Sequence, residues 1–144
     1  MKIFSCLTGV ILSAMLFSQA GAYELILTNE TPAFSVESGS WGYDNTIDSH
    51  HNYAFTAPGP GDGDSRAVWT IDGVPSGTYE IEFYVSNGNF AQDAEYIIEH
   101  DKGTTTLRRS QNYTGGGWQT LGTFEFVNAG RITQTDDWSG AGTK

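Results

Sequence analysis

Polar and apolar residues trade places at every second position along much of this chain. From Thr78 to Val85, Tyr79, Ile81, Phe83 and Val85 fall on one side, and Thr78, Glu80, Glu82 and Tyr84 on the other. A period of two is that of a strand with one face buried. Ala67, Trp69 and Ile71 alternate with Arg66, Val68 and Thr70. Tyr96 and Ile98 oppose Glu95 and Glu99, and Phe124 and Phe126 oppose Thr123 and Glu125. Leu107 closes a β-branched run, Thr104 to Thr106. No stretch keeps an apolar stripe at helical spacing over three turns, so strands are expected throughout.

Turn chemistry falls between these runs. Pro58-Gly59-Pro60-Gly61-Asp62-Gly63-Asp64 is the strongest break, and Pro75-Ser76-Gly77 sets up the strand after it. Asp101-Lys102-Gly103 predicts a tight hairpin, with glycine supplying a positive φ. Gly115-Gly116-Gly117 bends the chain before Trp118. Counting back by twos from Phe126 and Phe124 reaches Trp118. That parity points its ring inward as a cap on the core, with a ligand platform as the alternative. Short strands with turns at regular spacing predict an all-β fold, an antiparallel β-sandwich in a single domain.

The first residues belong to a different pattern. Lys2, the apolar run Ile3 to Phe17 and the small residues of Ser18-Gln19-Ala20-Gly21-Ala22 have the layout of a secretory signal peptide. Cleavage is expected after Ala22, leaving residues 23–144 as one exported domain, secreted, periplasmic or on the cell surface. An uncleaved anchor is the alternative, although the run is short for a span of ~20 residues. The only cysteine, Cys6, lies inside this leader, so the mature chain would hold no disulfide.

The formal net charge is −10, and loss of Lys2 takes it to −11. Phosphate contacts need a basic footprint, so nucleic acid is excluded as a partner, and anionic membrane surfaces are disfavoured after cleavage. Neutral sugars or bound calcium suit an acidic surface. Arg108 and Arg109 could form a basic patch for a polyanion, but a solvated strand edge explains the pair as well.

A family resemblance rests on an ordered set of stretches. Gly77-Thr78-Tyr79-Glu80-Ile81 follows a strand bearing Trp69. Then come Ala94-Glu95-Tyr96-Ile97-Ile98-Glu99-His100 and Asp101-Lys102-Gly103-Thr104-Thr105-Thr106. Gly115-Gly116-Gly117-Trp118 leads into Leu121-Gly122-Thr123-Phe124, and Ala33-Phe34-Ser35-Val36 with Gly39-Ser40-Trp41 lies upstream. Over about Asn29 to Thr133 the chain resembles the golvesin C-terminal-like domain, which also ends xanthan lyases. The resemblance implies a jelly roll similar to galactose-binding-like domains, in an accessory module beside an enzyme, thought to bind carbohydrate. That family usually closes with a strand of the form Val-x-Ala-Asp-Ala-x-Arg-Phe. This chain reads Asp136-Asp137-Trp138-Ser139-Gly140-Ala141-Gly142-Thr143-Lys144 where that strand should begin. Either the sequence is a fragment of a larger polysaccharide-degrading protein, or the edge is closed in another way. A missing strand would invite edge-to-edge self-association.

Candidate chemistry follows from residue type and spacing. For catalysis the candidates are His50, His51 and His100 beside Asp44 or Asp48. No Gly-x-Ser-x-Gly or His-Glu-x-x-His motif accompanies them, and no catalytic residue is assigned. Asp44, Asp48 and Asp136 are candidates for one structural Ca²⁺, with turn-forming aspartates as the plainer reading; no other cofactor is expected. Sugar binding needs flat apolar rings with hydrogen bonders at the rim. Trp41, Tyr43, Tyr53, Tyr113 and Trp138, with Asn87, lie outside the clean alternation and are the candidate platform. Trp41 would also serve as a core filler, as Trp69 does. The expected function is a non-catalytic carbohydrate-binding module with a polysaccharide partner. The alternatives are a structural or adhesion domain acting through protein contacts, and a weak polysaccharide-active enzyme.

Overall fold

The computed structural model describes residues 2–5, 10–16, 24–28, 30–44, 54–56, 61–85, 91–112 and 116–138. Among the described residues there are ten strands and no helix. They are β1 (Lys2–Ser5), β2 (Val10–Leu16), β3 (Glu24–Leu27), β4 (Phe34–Ser38) and β5 (Gly42–Asp44). They continue as β6 (Ala54–Thr56), β7 (Arg66–Val85), β8 (Ala94–His100), β9 (Gly103–Arg109) and β10 (Gly117–Thr135). The main sheet runs β1-β3-β2-β7-β10-β8-β9, with β4 also on β7, while β5 and β6 pair separately. Every ladder is antiparallel except the short β1–β3 pair.

The two long strands make the sandwich. β7 and β10 pair from Arg66↔Thr135 to Val85↔Gly117, and both bend midway. Register shifts fall on either side of Asn128, which adopts φ 69°, opposite Gly73-Val74. A bulged corner of this kind lets one strand serve two sheets. Pro75-Ser76-Gly77 is therefore a bend within a strand and not a break between two, a difference from the sequence expectation. Pro has no N–H to give a ladder, which suits it to such a corner, and the Tyr79 hydroxyl donates to the Pro75 carbonyl.

The first half of β7 and the second half of β10 join β4, β8 and β9. The remaining halves form the facing layer with β1, β2 and β3. Trp69, Ile71, Tyr96, Ile98 and Ile132 meet Tyr79, Ile81, Phe83 and Phe126 in one buried core. The Phe83 and Tyr96 rings touch across the layers at 5.2 Å, and Tyr79 meets Phe126 at 5.7 Å. The inward parity of Tyr79, Ile81, Phe83 and Val85 is as the alternation predicts, each fully buried. The β8–β9 hairpin also forms as expected, with His100 opposite Gly103 and φ 117° at the glycine.

Candidate functional site

Thr78, Glu80, Glu82 and Tyr84 point away from the core on β7, because their neighbours point into it. The strand opposite decides what shares that outer face. Along β10, Phe126 pairs with Gly77, Phe124 with Tyr79 and Gly122 with Ile81. The next pair is Thr120↔Glu82, so Leu121 is an extra residue, a β-bulge, and is itself buried. One extra residue reverses the parity of everything beyond it. Trp118 consequently pairs with Tyr84, and directly paired residues share a face.

The expectation that Trp118 caps the core is thus corrected. Its ring stands on the outer face, edge-on to Tyr84 at 5.5 Å and 76°, both half-buried. Two of the glycines before it keep their reason: Gly116 (φ 68°) and Gly117 (φ 133°) occupy backbone that side chains rarely adopt, while Gly115 lies outside the described residues. Beside the ring pair lie Glu82 and Thr120, and the Thr120 hydroxyl donates to Glu80 Oε1 at 3.3 Å. The arrangement is an aromatic ledge with carboxylate and hydroxyl groups along one side.

Arg109 holds the bulge in place. Its guanidinium donates to the carbonyls of Thr120 (3.3 Å) and Leu121 (2.9 Å). Arg108 meets Asp137 at 2.5 Å, Asp93 at 3.6 Å and Glu95 at 3.9 Å. The hydrogen bond to Asp137 leads in pushing the Arg108 pKa up, aided by the charges of Asp137, Asp93 and Glu95. Neither arginine offers an open basic patch.

The residues singled out in the sequence are placed as follows. Trp41 is half-buried against the core and donates from Nε1 to the Ser38 carbonyl at 3.2 Å. Trp138 also packs on the core. Tyr43 and Asp44 lie on β5, opposite Phe55 and Ala54. Tyr53, Asn87, Tyr113 and Asp48 lie outside the described residues, as do His50 and His51. Asp136 is buried, and its Oδ1 accepts from the N–H groups of Gly63 (3.0 Å) and Ser65 (3.2 Å). Its own backbone bonds Gly61 and Ser65, so it fastens the Pro-Gly loop to the end of β10. Ser38 Oγ donates to the Asp64 carbonyl at 2.5 Å, which brings the Trp41 segment to the same corner. Among the described residues no group of three or more His, Cys, Asp or Glu side chains could hold a metal ion.

His100 serves the hairpin. Nδ1 accepts from the Lys102 N–H (3.3 Å), which leaves Nε2–H to donate to Thr105 Oγ1 (2.9 Å), and the ring lies on Phe124 at 5.1 Å. An open groove of 340 Å³ beside it is lined by Glu99, Asp101, Val127 and Arg131 among others. Arg131 there is bound to Glu37 at 2.7 Å.

Sequence counting missed the ledge because it followed β10 alone. The signal was present in Leu121. It is apolar at an odd position while Trp118, Phe124 and Phe126 are even, so no single parity buries all four.

Comparison with known proteins agrees with this architecture. Among solved structures, a xanthan lyase from Paenibacillus superposes with a TM-score of 0.64 at 23% identity. The match covers 90% of this chain and 12% of that one, so this chain spans a small part of the lyase's length. No curated protein matches the chain. The sequence profile of the golvesin C-terminal domain matches residues 25–143, from β3 past the end of β10. With the two bent strands, the β8–β9 hairpin and the glycine-led Trp118 all inside that span, the chain belongs to the golvesin C-terminal domain family.

Proposed function

We propose that the chain is an exported, non-catalytic accessory module that binds a neutral polysaccharide on the outer face of β7 and β10. The observation that carries this reading is the ring pair Trp118–Tyr84, turned outward by the Leu121 bulge. A pyranose has an apolar face for such a ring, and its hydroxyl edge finds acceptors and donors in Glu82 and Thr120. Each ring is already half-buried, so covering the rest contributes about 1–2 kcal/mol per ring. After the cost of association, this suits affinities of roughly millimolar to micromolar order.

Several observations support the parts of this reading. The family and the xanthan lyase likeness suit an accessory domain of a polysaccharide-related protein. A net charge of −10, with Arg108 and Arg109 engaged by the domain itself, favours a neutral glycan over a polyanionic one. His100 has both ring nitrogens engaged in the hairpin, which favours a binding role over a catalytic one. The leader pattern of residues 1–22 favours export, with cleavage after Ala22.

Affinity gel electrophoresis over neutral and uronate polysaccharides tests the proposal. Retardation by at least one neutral polymer is expected, with loss in Trp118→Ala at unchanged melting temperature. Retardation that survives Trp118→Ala and Tyr84→Ala together, or binding to uronates alone, would overturn it.

A further inference from the structure

We infer that the module grips a linear glycan lengthwise, as an internal stretch of about four or five sugars laid along β7 and β10, and does not recognise a chain end. This rests on the sugar-binding reading above and extends the same face from its two rings to the corner of the sandwich.

Beyond the Trp118–Tyr84 pair the outer face continues as three ladder rungs, Thr120↔Glu82, Thr123↔Glu80 and Glu125↔Thr78. Directly paired residues share a face, so each rung sets one carboxylate beside one threonine hydroxyl. The bulge at Leu121 that turns Trp118 outward also brings Thr120 into line with Thr123 and Glu125. From Tyr84 to Thr78 the strand rises roughly 20 Å. The result is a polar track with an aromatic platform at one end.

Part of the track braces itself. Thr120 Oγ1 donates to Glu80 Oε1 at 3.3 Å, and Lys102 Nζ meets Glu125 Oε1 at 2.6 Å. Thr78 and Thr123 are exposed, and Glu82 is half-buried beside the ring pair. A sugar stacked on the rings presents hydroxyls to Glu82, and sugars further along present theirs to Thr123 and Thr78. Groups already held on a rigid ladder lose little freedom on binding. The carboxylates along the track also oppose a uronate chain at every position.

Only the strand direction offers this continuation. Among the described residues no strand flanks the outer edge of this half of β10. Arg109 takes the carbonyls of Thr120 and Leu121 there, and the Asp101 N–H takes that of Glu125. On the other side β7 meets β2, which lies within the leader. Past Thr78 the chain turns around the core at the bulged corner, so the outer face falls away. No wall closes the track at that end among the described residues, whereas reading a chain end needs one.

The test takes the neutral polymer most retarded in the gels above and cuts it by partial acid hydrolysis. Its oligomers, from monomer to octamer, are titrated into the exported protein by calorimetry. Affinity is expected to rise about threefold to tenfold per added sugar, one net hydrogen bond each, and to level off once the track is filled. Thr78→Ala combined with Thr123→Ala should weaken the octamer about tenfold and leave the dimer unchanged, while Trp118→Ala weakens every length. Both threonines are exposed, so the double variant should melt close to the parent. Reduction of the octamer's terminal sugar to its alditol should leave its affinity unchanged. A Trp118-dependent affinity that is flat from dimer to octamer, an equal loss at all lengths in the double variant, or a loss on reducing the chain end would overturn lengthwise binding and leave the module reading in place. Retardation by no neutral polymer would end both.

Discussion

Replacing Asp136 by alanine tests how the corner beside Trp41 and Trp138 is held. The carboxylate is buried, and one oxygen accepts the N–H groups of Gly63 and Ser65, 73 and 71 residues away in the chain. Alanine keeps the backbone bonds from Gly61 N–H to the residue 136 carbonyl (2.8 Å) and from the residue 136 N–H to Ser65 (3.1 Å). It leaves two donors without their acceptor in a place water reaches poorly. A buried donor stripped of its partner costs about 1–3 kcal/mol. With partial relaxation of the loop, the pair should cost about 2–4 kcal/mol. For a domain of this size that lowers Tm by roughly 4 °C per kcal/mol, so a fall of about 8–16 °C is expected. Asp136→Asn retains an oxygen that can accept from both donors and should lose less than half as much. Thermal and urea unfolding of the three proteins, followed by tryptophan fluorescence, measure the difference. An alanine variant within about 0.5 kcal/mol of the parent, or an asparagine variant as damaged as the alanine one, would refute the clamp.

Three further outcomes are expected. Because backbone donors already close the Asp136 loop, chelation of divalent cations should leave Tm unchanged, and a fall restored by calcium would bring the ion back into the account. Gly130→Ala should destabilise by about 1–3 kcal/mol, since a Cβ there would overlap the buried Phe126 ring and stand 3.1 Å from the Glu99 carbonyl; adding Phe126→Leu should recover part of the loss in a urea melt. The hydrogen bond from Arg131 leads in holding the Glu37 pKa below its ordinary 4.5, against a smaller desolvation effect. The unfolded chain therefore binds that proton more readily, so the contribution is present above pH 4.5 and fades as pH falls through the lowered value. Glu37→Gln should slightly lower the urea midpoint near neutrality and leave it unchanged at low pH, so the fall of the midpoint on the acid side becomes slightly shallower.

Much of the fold was legible from the chain alone because a strand's period of two is a local property. Tyr79, Ile81, Phe83 and Val85 had to share a face whatever lay opposite, and Asp101-Lys102-Gly103 had to turn within a few residues. The site was less legible because facing depends on the partner strand. Trp118 stands outside only because Leu121 has no counterpart between Ile81 and Glu82, which no count along β10 alone reveals. Asp136 is likewise an ordinary turn residue until the Pro-Gly loop reaches it from more than seventy residues away. The sequence by itself determined the alternation, the turns and the acidic balance, all set by neighbours along the backbone. Tertiary structure decided the corner at Asn128, the face of Trp118 and the partners of Asp136, because these arise from pairing between segments far apart in the chain.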